Sequence, residues 1–82
     1  MNKEYFVYIL QSNKDGRRYI GFTEDLERRF SEHQKGLDKS TRHRRPMKLV
    51  HFESFSTKED ALEREEFYKT GKGREYLKDQ GF

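Results

Sequence analysis

Arg18-Tyr19-Ile20-Gly21-Phe22-Thr23-Glu24-Asp25-Leu26-Glu27-Arg28-Arg29-Phe30-Ser31-Glu32-His33 is the stretch whose reading decides the fold. Arg18 to Phe22 reads as a strand, with Gly21 standing where a side chain is expected. Thr23 is positioned to cap a helix from Glu24 to about Lys35, and the acids Glu24 and Asp25 complement the positive end of its dipole. Gly36 supplies the stop. Leu26, Phe30 and Leu37 fall on one stripe at helical spacing, the face expected to be buried. Arg29 and His33 are one turn apart on the edge of that stripe. A cation and an imidazole turned toward a core need a reason.

Working outward, Tyr5-Phe6-Val7-Tyr8-Ile9-Leu10 is β-branched and aromatic without polar alternation, the pattern of a strand covered on both faces and so central in a sheet. Asn13-Lys14-Asp15-Gly16 has turn chemistry, so the strand holding Tyr19 should return antiparallel as a hairpin. Leu37 to Arg45 is polar, basic and aperiodic, an exposed loop ending at Pro46. Met47 to Phe55 reads as a third strand, with Lys48, Val50 and Phe52 on one face and Met47, Leu49 and His51 on the other. Ser56-Thr57-Lys58-Glu59 is a capping box that starts a second helix, running to about Lys69 and stopping before Gly71. Gly73 to Gln80 is a candidate last helix. The fold class is therefore α+β: a three-stranded antiparallel sheet flanked by helices, in the order β-β-α-β-α with a further α.

Eighty-two residues make one domain, 1–82, near the lower size at which one core holds unaided. No cysteine is present to staple it, and a reducing, cytoplasmic setting is the expectation. Only 30% of the residues are hydrophobic and 40% are charged, a composition that leans toward disorder. Seven Phe, five Tyr and clear periodicity argue for a packed chain instead. There is no apolar run long enough to span a membrane, and no signal-peptide core at the start. The net charge of +3 points only weakly to an acidic partner. Its distribution says more: Lys35, Lys39, Arg42, Arg44, Arg45 and Lys48 face Asp38 alone, a candidate phosphate-binding run.

On the second helix Glu65 has Ala61, Leu62 and Tyr68 as wheel neighbours, near the middle of the apolar arc. A carboxylate buried without a partner costs several kcal/mol, so either a cation meets it or a cleft opens over it. A lone carboxylate with room for water suits one Mg²⁺ or Mn²⁺. Arg29 offers a fork matched to phosphate oxygens, and a tyrosine hydroxyl near a cation can orient or deprotonate water. Tyr8, Tyr19, Arg29, His33 and Glu65 together are parts for metal-assisted phosphodiester hydrolysis. Taken singly, each has a plainer reading. Tyr8 reads as a core aromatic, Gly21 as a bulge, His33 as a helix-surface or satisfied histidine, and Arg29 as an ion-pair residue. Glu65 reads as a partner of Lys58 or Lys69, and the basic run as a solvated loop.

Val7-Tyr8-Ile9, then Tyr19-Ile20-Gly21, then Arg29, His33 and Glu65, resembles the GIY-YIG nuclease family, and specifically its small single-domain bacterial members. The resemblance covers nearly the whole chain and implies the same sheet and helices. Tyr8 takes the place of the first-motif tyrosine, with Phe6-Val7 where the family has Gly-Ile; Tyr19 and Gly21 match the second motif directly. Arg29 matches the arginine of the first helix, His33 the position one turn later, and Glu65 the metal-binding glutamate; no Asn follows near the end of helix two. The implied activity is a metal-dependent endonuclease on DNA, with branched, nicked or single-stranded sites as candidate substrates. The partner is DNA, the chain a monomer, and specificity is low or comes from a partner protein. The alternative is a catalytically weak nucleic-acid-binding module with the same fold.

Overall fold

The computed structural model describes residues 3–82. Strand β1 (Tyr5–Ser12) is the centre of the sheet, flanked by β2 (Arg18–Thr23) and β3 (Met47–Phe55), both antiparallel to it. The expected central position of β1 holds, because its alternate residues feed two separate cores. Val7 and Ile9 pack with Ala61, Tyr68 and Leu77 on one face. Tyr8 and Leu10 pack with Met47, Leu26 and Phe30 on the other. Helix α1 (Leu26–Gln34) therefore covers the Tyr8 face, and helices α2 (Lys58–Tyr68) and α3 (Gly71–Asp79) the Val7 face.

The element order is as expected, while the ends and one strand differ for local reasons. Thr23 does not cap α1, since it stays in the sheet opposite Phe6. The cap is Asp25, whose side chain accepts from the Arg28 N–H. Helix α2 is capped by Thr57 bonding Asp60, one residue later than the Ser56–Glu59 box. Helix α3 begins at Gly71 because Thr70 accepts from Gly73, a cap the sequence reading overlooked. At Gly73 a Cβ would stand 1.9 Å from the Phe67 carbonyl oxygen, so only glycine lets α3 fold so tightly onto α2.

Strand β3 breaks simple alternation. Ile9 pairs with His51 and Leu10 with Leu49, leaving Val50 as the extra residue of a bulge. That bulge turns His51 to the same side as Val50, against the period-two reading. Glu53, opposite Val7, there receives hydrogen bonds from Tyr68, His51 and Arg64.

Leu37 is also misplaced by the helical stripe. Gly36, at φ +80°, turns the chain out of α1, so Leu37 leaves the periodicity and is 69% exposed. The loop after it is not simply exposed. Thr41 is fully buried, and a 3-10 turn over Arg42–Arg44 is tied to β1 by Ser12, whose hydroxyl donates to the Arg44 carbonyl.

Candidate functional site

Tyr8 and Gly21 stand directly opposite each other on β1 and β2. A Cβ on Gly21 would lie 2.3 Å from both Cζ and the hydroxyl oxygen of Tyr8. Gly21 is thus neither a bulge nor a positive-φ position, since the β1–β2 register is unbroken there and its φ is ordinary. It is a gap through which the Tyr8 phenol passes. The ring of Tyr8 is buried, and its hydroxyl meets His33 Nε2 at 2.9 Å. Tyr19, half-buried on the same face, packs edge-on against His33 with ring centroids 4.9 Å apart.

His33 is fully buried, and its Nδ1 lies 2.7 Å from the Thr41 hydroxyl. Arg29, one turn earlier on α1, bonds Glu32 at 3.0 Å and Asp38, and its positive charge acts on the Tyr8 phenol. The His33 imidazole is thus held at both nitrogens, by the Tyr8 hydroxyl on Nε2 and the Thr41 hydroxyl on Nδ1. Burial, then the Arg29 charge, hold His33 below the usual histidine range, so it is a neutral proton acceptor at pH 7. Burial, then Tyr19, push the Tyr8 phenol well above its ordinary value despite Arg29, so it is protonated. Asp38 is held low in spite of its burial by the Ser40 N–H and by Arg29. Tyr8, Tyr19, Arg29 and His33 form one connected junction.

Glu65 stands apart from it. Ala61 and Tyr68, one turn to either side of Glu65 on α2, belong to the opposite face of the sheet, and the recorded partner of Glu65 is Lys69, at 3.4 Å. Leu62 is 38% exposed, so the apolar arc around Glu65 is narrower than the helical wheel implied. The side chain keeps 20% of its surface exposed, and Lys69 stands largely in water. Among the described residues no three His, Cys, Asp or Glu side chains converge. A lone, partly exposed carboxylate still fits a divalent ion that keeps most of its waters.

The basic run divides. Lys35, Lys39, Arg42, Arg45 and Lys48 are exposed, and Arg44 is half-buried. Arg44 is turned inward toward Asp15 and the Arg18 carbonyl, and Arg45 lies under Gly36, bonding the Arg42 carbonyl. Both guanidinium groups have partners within the protein, Arg44 half-buried and Arg45 still exposed.

Residues 4–78 match the model of the GIY-YIG catalytic domain. The chain belongs to the GIY-YIG family. This GIY-YIG chain is 43% identical to a UPF0213 protein of Haloquadratum walsbyi, over 99% of its length and 93% of the relative's. A UPF0213 protein of Staphylococcus saprophyticus is likewise 43% identical, over 95% and 94%. The solution NMR structure of a UPF0213 protein from Bacillus halodurans aligns with a TM-score of 0.59 and 36% identity, covering 94% of this chain and 84% of that one. The family is one of nucleases, generally dependent on a divalent metal. Among the described residues no helix is long and apolar enough to cross a membrane.

Two residues that hold this junction, Thr41 and Asp38, are absent from the candidates the sequence offers. Both lie in the loop expected to be exposed. A signal existed: a histidine turned inward needs a second partner, and Asp38 is the lone acid in a basic run that follows an inward arginine. Thr41→Val keeps the shape and leaves the buried His33 Nδ1 without its partner, at a cost of roughly 1–3 kcal/mol. It should also free the imidazole to change tautomer and lower cleavage by roughly tenfold or more. The pH–rate profile checks this. The wild-type acid limb should lie below the ordinary histidine value, because His33 charges only there; the variant's limb should move, and Thr41→Ser should restore it. An unmoved profile would make Thr41 a packing residue alone.

Proposed function

We propose that this chain is a metal-dependent DNA endonuclease. The single observation that carries the reading is the junction at Tyr8, where a buried phenol has a neutral histidine on one side and a guanidinium on the other. Such a pair can pass a proton without exposing a charge to water. Arg29 then stabilises the charge that builds on the phosphate oxygens as a water oxygen adds to phosphorus and the bond to the leaving oxygen breaks. Tyr19, the more exposed of the two tyrosines, orients the water. Glu65 would hold one Mg²⁺ or Mn²⁺, whose charge supplies stabilisation at the leaving oxygen. The exposed cations of the basic run add a weaker, longer-range attraction for the backbone. In this reading the protein works on DNA in the cytoplasm, in repair or recombination, as a monomer that takes its specificity from the shape of a branch, nick or unpaired strand or from a partner protein.

One observation favours the second reading, a binding module with weak catalysis. The Arg29 fork is already held by Glu32 and Asp38, so a phosphate must displace a carboxylate to use it. Incubation with labelled branched, nicked and linear DNA separates the two. Cutting in Mg²⁺ or Mn²⁺ and none in EDTA supports the nuclease. Arg29→Lys, which keeps the charge and loses the bidentate fork, should then cleave on the order of a hundredfold more slowly. Binding to all three DNAs without a cut in either metal decides for the module.

A further inference from the structure

The phenol junction and Glu65 are on opposite faces of the sheet, and the two faces meet along the free edge of β2. A groove of about 810 Å³ runs along that edge. One wall carries Arg17, Tyr19 and Ser40, and the other carries Lys69 and Arg74 from the α2 end and α3. Among the described residues no carboxylate lines it. The Arg18 guanidinium is turned to the Phe82 carbonyl, whereas Arg17, Lys69 and Arg74 are exposed. Among the described residues neither Arg17 nor Arg74 has an ion-pair partner, although acids make up nearly half of this chain's charges. None of these three cations belongs to the basic run between Lys35 and Lys48.

Resting on the nuclease reading, we propose that this groove is the track of the substrate's phosphodiester backbone, with Arg17, Lys69 and Arg74 as its phosphate contacts. Tyr19 lines the groove and packs on His33, so a strand lying in it touches the phenol junction. Lys69 lines it too and is the partner of Glu65, so the same strand passes the carboxylate. The edge of β2 thereby unites the two halves of the site. An edge strand also accepts a protein strand, but peptide pairing draws on alternating apolar pockets, and this wall offers cations.

The test is the salt dependence of binding to a fluorescein-labelled DNA oligonucleotide, single-stranded and duplex, in EDTA. Arg17→Gln/Arg74→Gln removes two exposed charges and should leave thermal unfolding unchanged. The slope of log K against log salt should fall by about 1.4 to 1.8 for two lost contacts. Arg42→Gln/Lys48→Gln removes the same charge from the basic run and should change the slope less. An equal loss in both pairs reduces the groove to bulk charge and overturns the assignment. An unchanged slope in the groove variant also overturns it. A wild-type protein that binds with the expected slope but never cuts removes the nuclease reading and leaves the groove standing; one that binds neither DNA removes both.

Discussion

Gly21→Ala should all but abolish cleavage while leaving a folded protein. The new Cβ would need to occupy a point 2.3 Å from the Tyr8 hydroxyl and 2.8 Å from Cε1, far inside contact distance. Tyr8 has nowhere to retreat, because its ring is buried between Tyr19, His33 and the α1 core. Either the β1–β2 pair separates locally or the phenol leaves His33 and Arg29. Overpacking of this kind costs roughly 1–3 kcal/mol, which an 82-residue domain of ordinary stability survives. Loss of the proton relay costs about 10²–10⁴ in rate. A double-mutant cycle isolates the contact: Tyr8→Leu should destabilise the Gly21→Ala protein less than the wild type, and neither protein carrying Tyr8→Leu should cut. A Gly21→Ala protein that cleaves at the wild-type rate would place the chemistry away from Tyr8.

That prediction also marks where sequence reading ends. Gly21 was legible as a missing side chain, since β-branched and aromatic neighbours make a glycine conspicuous. The cause was not, because it is a cross-strand distance to a particular hydroxyl. The sheet was legible for a simpler reason. A six-residue run without polar alternation, Tyr5 to Leu10, can only be satisfied with cover on both faces, and β1 has it. The bulge at Val50 left no trace, since Leu49, Val50, His51 and Phe52 read equally well in either register.

Helix wheels served Arg29 and His33 well and failed Leu37, because periodicity holds only while the helix lasts. Helix α1 ends at Gln34 and the positive-φ Gly36 turns the chain away, so at Leu37, three residues past the helix, the wheel no longer applies. Thr41 and Asp38 belong to that unwound segment, so their approach to His33 and Arg29 is tertiary. No local pattern encodes it. The groove cations were hidden likewise: Arg17 lies on the hairpin, while Lys69 and Arg74 lie about fifty residues later, and only the packing of α2 and α3 against the sheet brings them together.

Glu65→Gln should lose metal-dependent cleavage by two orders of magnitude or more and barely change stability. The sequence left two forecasts for this substitution. If the carboxylate completed a buried ion pair, its removal would strand a cation at roughly 3–5 kcal/mol. The geometry excludes that outcome, because Lys69, at 3.4 Å, keeps over half its side chain in water and is simply resolvated. An exposed pair one helical turn apart is worth about 0.3–0.5 kcal/mol. In a domain this size that shifts the melting temperature by about 2–4 °C at most. Glutamine keeps the shape and one carbonyl oxygen but loses the charge that holds a hard divalent ion. DNA binding in EDTA should persist or tighten slightly, since Lys69 is freed toward the groove. Thermal unfolding in EDTA and cleavage in Mn²⁺, measured on the same two proteins, decide the matter. Cleavage retained with an unchanged melting temperature would leave Glu65 as the partner of Lys69 and nothing more.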